Sequence, residues 1–253
     1  MLEQDAVAGL RKLLEEAGTE LRQRRLGAVG EKPQAGLASD LDRRLEARLR
    51  QALPPLWPDS VVVGEEDGGE PGEFTWWVDP LDGTTNCVHG WPRSAISVAL
   101  YHRGEARIGA VHDPYLGETF WAVKGRGAWL GEQRLSLEPG AELGKALLCT
   151  GFAPEPLVQW EVCRRLHGLS RGVRVSGCAS LDLAYLAAGR VQAFWEIDLK
   201  PWDVAAGLLL VGEAGGWVGD PRGGKATIHS GDFLLCAPGL ERPLLDELKA
   251  LFP

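Results

Sequence analysis

Val7, Leu10, Leu13, Leu14 and Leu21 recur at helical spacing among charged residues near the start of the chain. This pattern predicts an amphipathic helix from Leu2 to about Leu26. Gly27 to Ser39 is polar, contains Lys32-Pro33 and reads as a loop. Leu41, Leu45 and Leu49 then mark one face of a second helix. Asp40 could cap that helix, which runs to about Leu53 and is ended by Pro54-Pro55.

From Val61 the period changes. Val61 to Val63, Thr75 to Val78, Ser94 to Tyr101, Ala106 to His112 and Thr119 to Val123 are short apolar runs between turn residues. They read as strands, the later ones as an antiparallel meander. Trp76 and Trp77 are adjacent on one strand, so they cannot face the same layer. Lys145 to Cys149 predicts another strand and Pro156 to Gly168 another helix. Alternation follows: a strand at Val173 to Val175, a helix from about Ser180 to Ala188, and a strand at Val191 to Trp195. A helix from Trp202 to about Ala214 stops at Gly215-Gly216, then come a strand at Phe233 to Cys236 and a helix at Leu240 to Leu251. Mixed helices and strands without a repeat suggest an α/β fold in one compact unit of two subdomains, residues 1–138 and 139–253.

Composition narrows the function. The 253 residues hold no run approaching the roughly 20 apolar residues of a membrane span, and the N-terminus has acids where a secretory signal has lysines. The expectation is a cytoplasmic enzyme with no membrane partner. Its net charge of −8 argues against a nucleic-acid surface. The five cysteines are far apart without a C-x-x-C pair and read as buried thiols. The histidines lack metal-ligand spacing.

The acids are more telling. Glu65-Glu66-Asp67 follows one apolar strand, Asp79-Pro80-Leu81-Asp82-Gly83-Thr84-Thr85-Asn86 follows another, and Asp203 opens a helix. If these ends converge, their carboxylates repel one another unless cations neutralise them. Pro80 favours a turn after the strand, which could bring Asp79, Asp82 and the Leu81 carbonyl to one ion. Oxygen-only ligands select a hard cation, of which magnesium is the usual one beside phosphate. Gly83-Thr84-Thr85 offers amide N–H groups for that phosphate.

The segments Gly64-Glu65-Glu66, Asp79 to Asn86, and Trp202-Asp203-Val204-Ala205-Ala206-Gly207 with Glu213-Ala214-Gly215-Gly216 resemble, in order, the three signatures of the inositol monophosphatase family. Val111 to Pro114 and Lys124 to Ala128 resemble its central hairpins. The resemblance spans about Asp40 to Gly216. It implies a layered αβαβα sandwich, a Mg²⁺-dependent and lithium-sensitive phosphatase with two or three ions, and a homodimer. By that analogy Glu65, Asp79 and the Leu81 carbonyl hold one ion, and Asp79, Asp82 and Asp203 a second. Glu65 and Thr84 orient the attacking water, while the Gly83 and Thr84 amides bind phosphate. Glu196, seven residues before Asp203, matches a position that hydrogen-bonds substrate hydroxyls, and Gly177 to Ala179 match a segment whose backbone touches substrate. The loop between Lys32 and Asp40 is shorter than is common in the family and lacks an Asp often found there.

The reading is hydrolysis of a small phosphorylated polyol, inositol 1-phosphate first. Fructose 1,6-bisphosphate, histidinol phosphate and 3′-phosphoadenosine 5′-phosphate share the motifs and stand as rivals. A non-catalytic regulatory protein on the same fold is the alternative of a different class. Taken singly, Glu66 and Asp67 read as a solvated loop. Gly168-Leu169-Ser170-Arg171-Gly172 matches G-x-S-x-G but lacks the strand–turn–helix setting of a nucleophile elbow.

Overall fold

A computed structural model describes residues 2–31, 37–152 and 157–252. Helix α1 (Leu2–Arg22) precedes a hairpin of β1 (Val29–Glu31) and β2 (Leu37–Ser39), then α2 (Asp40–Ala52). The stretch read as a loop is thus partly paired: its strands are three residues each, too short to show alternation. Residues 32–36 and Pro156 lie outside the described residues.

Asp40 is not the cap of α2. Its carboxylate accepts the Ala28 N–H at 2.9 Å, tying the hairpin to the helix. Ser39 is the capping residue, and the Asp42 carboxylate accepts its N–H at 2.8 Å and its hydroxyl at 2.5 Å.

Seven strands follow in one sheet: β3 (Ser60–Gly64), β4 (Phe74–Asp82), β5 (Ala95–His102), β6 (Glu105–Asp113), β7 (Glu118–Val123), β8 (Gly127–Leu130) and β9 (Gln133–Leu135). Their spatial order is their chain order. The short helix α3 (Thr84–His89) lies between β4 and β5. The meander was legible as far as β7; β8 and β9 extend it by strands of four and three residues.

A second sheet has the order β11-β10-β12-β14-β13. Its strands are β10 (Leu148–Thr150), β11 (Val173–Val175), β12 (Ala193–Glu196), β13 (Trp217–Gly219) and β14 (Phe233–Cys236). The expected strand at Lys145 begins instead as a short 3₁₀ turn, Leu143–Lys145. Helices α4 (Leu157–Leu169), α5 (Ala179–Ala187), α6 (Pro201–Glu213) and α7 (Glu241–Leu248) complete the chain.

Three apolar cores define the layering. The first joins α1 and α2 to the seven-stranded sheet, the second joins the opposite face of that sheet through α5 and α6 to the five-stranded sheet, and the third lies under α4 and α7. The fold is therefore the expected αβαβα sandwich. Trp76 packs in the first core and Trp77 in the second, as strand alternation demands. His112 is buried where Gly18 of α1 leaves room; a Cβ at Gly18 would stand 2.3 Å from its ring.

No described helix is long and apolar enough to cross a membrane. The five cysteines are unpaired, four of them buried. Ser170 of the G-x-S-x-G stretch donates to Leu166 O and accepts the Gly172 N–H, closing the end of α4 rather than forming an elbow.

Candidate active site

The parallel pairing of β3 with β4 brings the first two motifs together. Gly64 stands opposite Val78, and Glu65 N–H donates to Val78 O at 3.1 Å, so Glu65 emerges beside Asp79. The Asp79 to Asp82 motif does not form a turn after the strand, as read from Pro80. It stays within β4, and the pairing with β5 shifts register between Asp79 and Asp82. Positions three apart on a regular strand face opposite ways; a bulge lets both carboxylates serve one side.

Gly83 ends the strand at φ +85°, a left-handed conformation open to glycine. A Cβ there would stand 2.8 Å from Arg93 O and 3.2 Å from Gly177 O. Asn86 locks this close approach, its Nδ2 donating to Arg93 O at 2.7 Å and Ser176 O at 2.8 Å. The Thr84 hydroxyl lies 2.8 Å from Asp42 Oδ1 and 3.0 Å from Leu81 O.

The 176–180 segment closes over Asp82. Ser180 donates to Asp82 Oδ2 from its N–H at 2.7 Å and its hydroxyl at 2.6 Å. Gly177 and Ala179 flank Cys178 in this segment, at the start of α5. Asp203 sits in the first turn of α6, whose capping residue is Lys200, and accepts the Lys200 N–H at 2.7 Å. It also interacts electrostatically with Asp82 and Glu65. Glu196 ends β12 and packs so closely on Gly151 that a Cβ there would meet its carboxylate at 2.1 Å.

Electrostatics bind these residues into one group. Burial, then the charges of Glu65, Asp82 and Asp203, hold the Asp79 carboxyl well above its ordinary range. Burial raises Asp82 as well, against the lowering effect of its Ser180 hydrogen bonds. Burial and Asp82 push Asp203 up to about 8. Burial, with Asp82, Asp182 and Asp203 nearby, holds Glu196 far above the carboxylate range. Glu65 and Asp79 are within hydrogen-bond reach of each other, an arrangement that needs a shared proton or a cation.

Among the described residues no three His, Cys, Asp or Glu side chains form a ready-made metal cage. The donor chemistry nevertheless fits cations: crowded carboxylates, Asp79 buried and the others half-buried, and a backbone carbonyl, with no nitrogen or sulfur ligand among them. All the sequence-selected residues from Glu65 to Thr84, with Asp203 and Glu196, therefore fall in one region, bordered by Gly177 and Ala179.

Sequence reasoning missed the residues that hold them. Asp42 is fully buried against Thr84, and Asp182 is buried between Ser176 and Arg93, with its carboxyl raised to about 7 by burial. Asp42 carried a signal: Ser39-Asp40-Leu41-Asp42 matches the S-x-x-D capping box that opens a helix.

An αβαβα sandwich with crowded acids beside a glycine turn defines a phosphatase of the metal-using, layered type. The chain belongs to the inositol monophosphatase family, whose profile matches residues 3–250. It is 42% identical over 218 residues to the Nus factor SuhB of Pseudomonas aeruginosa, covering 82% of this chain and 80% of that protein. It is 39% identical over 235 residues to the inositol-1-monophosphatase of Rhizobium meliloti, covering 89% and 87%. The solved structure of a Thermotoga maritima IMPase superposes with a TM-score of 0.92 at 32% identity over 98% of each chain.

Proposed function

We propose that the protein hydrolyses a small phosphorylated polyol, inositol 1-phosphate first, with Mg²⁺ as its cation. The observation that carries this reading is the meeting of Glu65, Asp79, Asp82 and Asp203 beside the left-handed turn at Gly83. Glu65, Asp79 and the Leu81 carbonyl would hold one ion, and Asp79, Asp82 and Asp203 a second. Magnesium there supplies positive charge that offsets the phosphate and favours loss of a proton from the attacking water.

The chain's own groups do the rest. The Gly83 and Thr84 amides, at the start of α3, bind phosphate oxygens. With its proton given to Asp42, the Thr84 hydroxyl can accept one hydrogen bond from water while Glu65 accepts the other. The water oxygen then forms a new bond to phosphorus as the ester P–O bond breaks in line, the water giving up a proton to Glu65 and the departing alkoxide taking one from solvent. Glu196 accepts hydrogen bonds from substrate hydroxyls, and the Gly177 to Ala179 backbone borders the same ring. The working unit is a cytoplasmic homodimer, each chain divided at 138/139 between its two sheets.

Asp82→Asn tests the site. Turnover should fall below detection while the circular dichroism spectrum stays unchanged; full activity would refute the mechanism. A side-by-side comparison with fructose 1,6-bisphosphate, histidinol phosphate and 3′-phosphoadenosine 5′-phosphate ranks the substrates, and a hundredfold preference for one of these would displace inositol phosphate.

A second reading has support in the relatives named Nus factor SuhB: a regulatory role on the same fold. It predicts that Asp82→Asn leaves function in cells intact.

A further inference from the structure

Helix α2 carries a polar stripe, Asp42, Glu46 and Arg50, beside its leucine stripe of Leu41, Leu45 and Leu49. Residues four apart lie one above another on the same helix face. Asp42 and Glu46 are both fully buried, which is costly for carboxylates without partners. Asp42 is spent on Ser39 and Thr84.

Glu46 has a different target. Its Oε2 accepts the Glu66 N–H at 2.7 Å and its Oε1 the Asp67 N–H at 2.9 Å. Arg50 pairs with Glu46 Oε1 at 2.8 Å, donates to Val62 O at 3.0 Å and also to Gly68 O. Glu46 thus grips the turn after β3 through two of its amides, while Arg50 joins the Gly68 carbonyl of that turn to Val62 O within β3. Gly64 makes room: a Cβ there would lie 2.4 Å from the Glu46 carboxyl carbon.

We propose that Glu46, backed by Arg50, is a positioning residue that sets where Glu65 stands, and that α2 thereby fixes the distance between Glu65 and Thr84. Glu65 is joined directly to the amide Glu46 holds, while Thr84 is held by Asp42 one turn earlier on the same helix. The two groups given to the attacking water therefore hang from one rigid rail. This inference rests on the reading of Glu65 as a metal- and water-binding residue. It adds a requirement that the motif residues alone do not contain.

Two variants separate positioning from plain stability. Glu46→Gln keeps shape and one acceptor but loses the charge. Gly64→Ala keeps the charge and pushes the carboxylate off the turn. In both, Mg²⁺ affinity by titration calorimetry without substrate should fall about 10-fold to 100-fold, the range for outer partners of metal ligands. With inositol 1-phosphate the loss should appear in kcat and in the Mg²⁺ half-saturation, with KM within about twofold. Amide hydrogen exchange over residues 65–67 should speed up at least about tenfold while exchange in α1 and β5 stays as in the parent.

Unchanged exchange over 65–67 in folded variants would overturn the clamp. Unchanged Mg²⁺ affinity with faster exchange would overturn its role in placing Glu65. A parent protein that binds Mg²⁺ yet releases no phosphate from any ester would count against the proposed reaction alone, since calorimetry and exchange read Glu46 without turnover.

Discussion

Asp203→Asn should make the metal-free protein more stable while weakening its response to Mg²⁺. Burial and the neighbouring Asp82 raise the Asp203 carboxyl from 3.8 to about 8, against which the Lys200 amide works. A carboxyl raised in the folded state favours the protonated form there. Its cost to stability is therefore absent below pH about 4 and accumulates as pH rises to about 8. At about 1.4 kcal/mol per pH unit, ionised Asp203 would cost at most about 6 kcal/mol. Asp203 is not sealed from solvent, and its neighbours relax, so roughly a third of this, about 2 kcal/mol, is the expected penalty. Asparagine keeps an acceptor for the Lys200 N–H and removes the charge. The assay is thermal unfolding at pH 5 and pH 8, with EDTA or with Mg²⁺. In EDTA at pH 8 the variant should melt about 4–8 °C above the parent, with a smaller gap at pH 5. Mg²⁺ should raise the parent's melting temperature by more than the variant's, which keeps only the first set of Glu65, Asp79 and the Leu81 carbonyl. A variant that melts at or below the parent in EDTA at pH 8, or whose advantage does not grow with pH, would refute the electrostatic reasoning.

Gly83→Ala should destabilise the fold by about 2–5 kcal/mol, combining a left-handed φ of +85° with contacts to two backbone carbonyls; denaturant unfolding measures this, and a loss under about 1 kcal/mol would contradict the packing. His112, buried and depressed to about 4 mainly by desolvation, gives stability that is complete above pH 6.5 and drains as pH falls toward 4. Removing it in His112→Gln should flatten the stability–pH slope over that window by up to about 1.4 kcal/mol per pH unit; an identical slope would show that His112 titrates normally. Asn86→Ala leaves the carbonyls of Arg93 and Ser176 without their shared donor and should lower kcat/KM at least about tenfold, read by phosphate release.

The long elements were readable because each shows one period over enough residues. Leu10, Leu14 and Leu21 announce α1, and Ile96, Val98 and Leu100 announce β5. Strands β1, β2, β8, β9 and β13 were not: each is three or four residues that include glycine or a polar side chain, without the unbroken apolar run that marked β14, and tertiary pairing creates them. At the site, the motif residues stood out as acids at the ends of apolar runs. What supports them was hidden because charges in an amphipathic helix ordinarily lie on its solvent face. Asp42 and Glu46 are fully buried charges on the inner face of α2, and only their bonds to Thr84 and to the turn after β3 reveal why. Asp182 was likewise passed over inside an apolar helix, where it ties Ser176 to Arg93. The Asp79 to Asp82 motif kept its chemistry but changed its local shape, from an expected turn to a bulged strand end.

The central claim is that these carboxylates serve magnesium-assisted phosphate release. The most direct measurement is inorganic phosphate liberated from inositol 1-phosphate with EDTA, with Mg²⁺, and with Mg²⁺ plus Li⁺, alongside Asp82→Asn. Release that requires Mg²⁺, falls with Li⁺ and vanishes in the variant is the predicted result. Equal release with EDTA, or release from Asp82→Asn at the parent rate, would contradict it.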